Sequence, residues 1–152
     1  MAAGDIVFFD QWLVDVQEAI HNMETDTIKL GLITSAVTPA ATTTDPRWGA
    51  GGTTNFSTNQ VTPGGNYSTG GPTIANNSVT LSGGAGVFDG DDISVTQHAS
   101  NPTNARWGII YSDTAAGKNC IGYLDLGTTI DLSAGDFSVA WNASGISSMN
   151  QA

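Results

Sequence analysis

Positive charge is what this chain has least of. Its 152 residues hold only four Lys and Arg against 14 Asp and Glu, for a formal net charge of -10. Those four, Lys29, Arg47, Arg106 and Lys118, are scattered. They form no stretch able to release counterions from phosphates, which excludes binding to nucleic acid or to an anionic membrane. Cysteine is nearly absent as well. Cys120 stands alone, so no intrachain disulfide can form, and no Cys/His spacing suits a structural zinc ion. Long apolar runs are missing too, so no segment has the length to span a bilayer. The opening residues, MAAGDIVFFDQW, lack the basic and apolar regions of a signal peptide, and synthesis in a cytoplasm is the expectation.

What is present is enough chain for one domain with a real core, here taken as residues 1–152. After an N-terminal arm over 1–8, Phe9, Trp12, Leu13, Val16, Ile20 and Met23 recur at helical spacing, predicting an amphipathic helix over 9–23 that starts near Asp10. Its apolar face must dock on this domain's sheet or on a partner. The run DTIKLGLIT then alternates Ile28, Leu30 and Leu32 with Thr27, Lys29 and Gly31, the period of a half-buried strand.

Residues 35–77 change character to Thr, Gly, Asn, Pro and Ala, a composition that favours a long irregular loop, with a short strand or two around Phe56 to Val61. A loop of that length is uncommon unless it binds something or wraps a neighbour. From Ser78 onward SVTLS, GVFD, DISVTQ, RWGIIYS, CIGYLDLG and DFSVAWNA follow one another between turn residues, with Phe137, Val139 and Trp141 on one face of the last. About six to eight short strands of this kind predict a mainly β fold, an antiparallel β-sandwich or jelly roll with one N-terminal amphipathic helix and a long Thr/Gly/Asn-rich loop.

Candidate chemistry is thin. Cys120 would need a base or cation to become a nucleophile, and His21 and His98 are not placed beside it by the sequence. The segment SDTAAGKN carries the Asp, Gly and Asn of a hairpin loop and is expected to be exposed. Asp89, Asp91 and Asp92 in DGDD are the metal candidates, because hard cations take several oxygen ligands, but the EF-hand pattern is absent. The glycine pairs lack the Lys-Ser/Thr ending of a P-loop, and no acid pair is singled out for glycoside chemistry. No enzymatic activity and no cofactor are expected. Trp48, Phe56 and Tyr67 in the long loop suit either stacking on sugars or anchoring the loop to its own sheet or a neighbouring subunit.

One further pattern joins these pieces. A helix followed by TDTIKLGLIT (Thr25 to Thr34), a strand ending in Tyr111 to Thr114, a strand ending in LDLG, and the late strand Gly135 to Val139 resemble the bacteriophage capsid decoration, or cement, proteins of tailed phages. The resemblance covers both ends of the chain and not the middle. It implies a virion structural protein on the capsid exterior, made in the host cytoplasm, that forms a homotrimer and bridges major capsid protein subunits. A tail, neck or fibre subunit with host-surface or glycan binding is the alternative. On the resemblance, the contacts to capsid or neighbour fall to the arm and helix start, Ala2, Asp5, Ile6, Phe8 and Trp12, and to Trp48 and Phe56 in the loop.

Overall fold

A four-stranded sheet forms the middle of the molecule, and the computed structural model describes it within residues 5–150. Strand β1 (Val7–Phe8) leads into helix α1 (Asp10–Gln17) and then β2 (Ile28–Ile33). Short pieces follow: β3 (Pro46–Arg47), β4 (Thr54–Asn55) and a 3-10 turn at Phe56–Asn59. The second half supplies β5 (Ser78–Ser82), β6 (Ala85–Asp89), β7 (Ile93–Val95), β8 (Ala105–Ser112), β9 (Cys120–Ile130), β10 (Phe137–Val139) and β11 (Ser147–Asn150). The central sheet runs β1-β9-β8-β2, beside a three-stranded sheet β11-β6-β5 and the pairs β10-β7 and β3-β4. All pairings are antiparallel except β3 with β4. The mainly β class with one N-terminal helix is therefore as the sequence predicts.

Alternation explains the layering. Ile28, Leu30, Leu32 and Ile110 point to one side of the central sheet, into a core shared with Trp12, Phe88, Ile93, Val95, Phe137, Val139 and Trp141. Phe137 and Val139 are buried while Ser138 between them is exposed, the pattern expected of DFSVAWNA. The other side carries Ile33, Ile109, Tyr111 and Cys120, and it is covered by Phe9, Trp48 and Phe56. Strand β9 breaks simple alternation. The register with β8 shifts between Ile110 and Tyr111, so Ile121 falls in the first core and Tyr123 against the second. An inserted residue of this kind reverses the side-chain alternation on one strand only.

The helix is shorter than the predicted 9–23. Ala19 takes a left-handed backbone (φ 56) and the chain turns, with the Ile20 amide bonded to the Asp15 carbonyl. Beyond that point the helical phase no longer applies. Trp12 is buried and Val16 and Met23 pack against the core, but Leu13 and Ile20 are exposed.

Candidate functional site

The long segment 35–77 is built into the fold. Trp48 stacks on Tyr111 with ring centroids 4.8 Å apart, and Phe56 stacks on Phe9 at 5.7 Å. Trp48 is 4% exposed and Phe56 and Tyr67 are 0% and 1% exposed. Their rings are interior, so the expectation that Trp48 and Phe56 offer contacts to a capsid or neighbour is corrected, and a sugar-stacking platform from these three is not formed. They anchor the loop to its own sheet.

The same segment closes the open edge of β2. The Leu30 amide donates to the Pro72 carbonyl (2.9 Å), Ile74 to Ile28 (2.8 Å), Val61 to Leu32 (3.1 Å) and Thr34 to Asn59 (3.0 Å). Between these bonds the Leu32 N–H donates to the Tyr67 hydroxyl (2.7 Å), and the Tyr111 hydroxyl donates to the Gly70 carbonyl (2.9 Å). Burial pushes the Tyr67 phenol up to about 12 and the Tyr111 phenol up as well, so both stay protonated at neutral pH. Gly71 (φ 82) permits the approach, since a Cβ there would lie 1.9 Å from the Leu30 carbonyl oxygen. An unpaired edge is a template for other strands, and covering it removes that hazard.

The β8–β9 turn is exposed at Thr114 and Ala116, as expected, and is clasped by ion pairs. Asp113 accepts from Lys118 (2.6 Å) and pairs with Lys29 (3.1 Å), and these lysines hold its carboxyl below the usual range. Beneath the turn lies a buried polar group. Ser112 donates to Asp26 (2.8 Å), and Asn119 and Gln11 donate to the two oxygens of Asp15 (2.8 and 2.9 Å). His21 has no exposed side-chain surface, packs on Trp12 at 5.0 Å, and lies 3.6 Å from Asp15 with neither ring nitrogen hydrogen-bonded. Burial lowers its pKa, against the pull of Asp15 and Asp26. Cys120 is fully buried, and burial first and Asp15 second raise its thiol pKa well above the ordinary value, so it is held as a thiol. No sequence pattern pairs His21 with Asp15, because the turn at Ala19 sets their separation.

Of the arm, Ala2 lies outside the described residues. Asp5 is exposed, while Ile6 and Phe8 are half-buried. Phe8 stacks on Trp12 at 5.8 Å, and Trp12 itself is interior, which removes its ring from any outward contact. Asp5, Ile6 and Phe8 line an open groove of about 450 Å³ whose other wall is Asn142, Ser144, Gly145 and Ile146. Asp91 accepts from Asn76 (2.7 Å) and Asp92 from the Trp141 amide (2.8 Å). Among the described residues no three His, Cys, Asp or Glu side chains gather as a metal site, so the DGDD candidates Asp89, Asp91 and Asp92 do not form one.

Two surface properties stand out. Each of the four cations is ion-paired within the chain: Lys29 and Lys118 with Asp113, Arg47 with Asp45, and Arg106 with Asp125. Three acids thus take every Lys and Arg, leaving 11 of the 14 without such a partner. Large apolar side chains also stand exposed at Leu13, Val14, Ile20, Val79, Leu81 and Met149. An apolar groove of about 490 Å³ between α1 and the β11-β6-β5 sheet is lined by Trp12, Val16, Met23, Val79 and Met149, among others. No protein-family model, no curated protein and no solved structure matches this chain.

Proposed function

We propose that this chain is a bacteriophage virion structural protein that decorates the outer face of the capsid and stabilises it by bridging major capsid protein subunits. The observation that carries the reading is the charge arrangement. With every Lys and Arg neutralised internally and Asp15 and Asp26 buried, the surface offers nine acids without a Lys or Arg partner and a few exposed apolar side chains, which fits a partner surface bearing Lys and Arg around apolar contacts. Such a surface keeps a particle soluble and repels nucleic acid. The closed β2 edge and the interior aromatics support a rigid body suited to repeated docking. Several modest contacts, multiplied by self-association as a homotrimer, give firm attachment without any single strong one.

The contact surface is assigned to Asp5 and Ile6 beside their groove and to the exposed helix residues Leu13 and Val14. A rebinding assay on capsids stripped of this protein tests the assignment. Leu13→Lys with Val14→Lys, both tolerated by exposed positions, is expected to lower occupancy at least tenfold, and raised salt is expected to lower wild-type occupancy. Unchanged occupancy in both arms contradicts it.

A further inference from the structure

The molecule treats the sheet edges at β2 and β5 differently. Along β2 it spends much of the segment 59–74 on covering backbone groups, but the outer edge of β5 meets no strand among the described residues. Natural edges are usually blunted by Lys, Pro, a charge or a bulge. β5 has none of these: SVTLS is uncharged, lacks Pro, and pairs with β6 in unbroken register from Ser78↔Asp89 to Ser82↔Ala85. It also carries Leu81, 83% exposed, with Val79 on the same face at 44%.

We propose that β5 is a self-association edge: two copies pair their β5 strands antiparallel about a two-fold axis at Thr80, setting each copy's Leu81 opposite the other's Val79. The sequence reads the same in class from either end, Ser-apolar-Thr-apolar-Ser, so the pairing matches Ser78 with Ser82, Val79 with Leu81 and Thr80 with itself. An isologous contact requires this self-complementarity. Across the sheet Leu81 and Met149 both face Gly86, whose missing side chain leaves a shallow track on that face. Val79 and Met149 line the groove beneath α1, so the copy's Leu81 arrives at the mouth of an existing apolar groove. One occupant then accounts for the bare edge, the exposed leucine and the groove together.

Charge permits a second copy at this edge. The copies repel each other over most of their surface, and neither has an unpaired Lys or Arg to offer the other's acids. Only a neutral stretch can self-pair. Asp89 sits one strand inward, opposite Ser78, and Glu24 lines the groove beside Val79. In the pair the two Asp89 groups stand three strand spacings apart across the sheet and four residues apart along it, roughly 19 Å, past the screening length of ~8 Å at physiological salt. A five-residue strand buries little area, so the association is concentration-dependent and gains from repetition in an array. It is independent of the shell reading.

Sedimentation velocity and disulfide trapping of the full chain test the pairing. Wild type is expected to show a reversible doubling of mass with concentration, and Leu81→Lys to move that step at least tenfold higher in concentration, with the melting temperature of the dilute protein unchanged. Thr80→Cys is expected to form a disulfide-linked pair at least tenfold faster than Thr103→Cys, an exposed control, while buried Cys120 does not compete. No doubling at any concentration, a step unmoved by Leu81→Lys, or equal trapping rates for the two cysteine variants overturns the proposal.

Discussion

Trp48 lies flat on Tyr111, with ring planes 9° apart, because Gly31 leaves it the room: a Cβ at Gly31 would sit 2.3 Å from the indole. The pair ties the 35–77 segment to the central sheet. Trp48→Ala is expected to cost about 3–5 kcal/mol in denaturant unfolding, the range for deleting a buried large aromatic. Gly31→Ala is expected to destabilise by displacing the same ring, and the double variant by much less than the sum. A loss under about 1 kcal/mol for Trp48→Ala means the segment is not held this way.

Tyr67→Phe removes the acceptor of the Leu32 amide while keeping the ring in place. A buried donor left alone costs about 1–3 kcal/mol. Hydrogen exchange is expected to speed at Leu32 while the amides of β9 stay protected. Unchanged protection at Leu32 means that amide finds another partner.

His21 gives the fold a pH dependence. Its folded pKa lies below the ordinary 6.5, so the unfolded chain takes the proton more readily. The contribution is full above pH 6.5 and is lost as pH falls through the lower folded-state value. Wild type is expected to lose more stability than His21→Gln between pH 7 and about pH 5. Parallel pH curves for the two proteins rule this out.

Asp113 works in the opposite sense of charge but in the same direction of pH. Its folded pKa is depressed below 3.8, chiefly by Lys118, so its contribution is present above 3.8 and is lost as pH falls further. Asp113→Asn is expected to destabilise by about 1 kcal/mol at neutral pH, with the gap closing in acid. A gap that persists at low pH assigns the effect to packing.

The elements with clear periodicity are legible in the sequence alone. IKLGLI alternates as β2 does, and Phe137 and Val139 share a buried face. What periodicity cannot carry was missed. The bulge in β9 and the left-handed Ala19 are local backbone choices with no pattern around them. The role of 35–77 rests on long-range pairs such as Tyr67 with Leu32 and Trp48 with Gly31, in which a polar composition hides three interior aromatics. That composition made Trp48 and Phe56 look like surface residues. The ion-pairing of all four cations was likewise invisible, since Lys29 and Asp113 meet only because β2 lies beside β8.

The proposed place on the capsid exterior is checked by an image reconstruction of the intact particle. Density for this chain is expected on the outer face of the capsid, spanning adjacent major capsid protein subunits, with its acidic surface against Lys and Arg of the shell. Density confined to the neck, tail or fibre, or none on the capsid exterior, contradicts it.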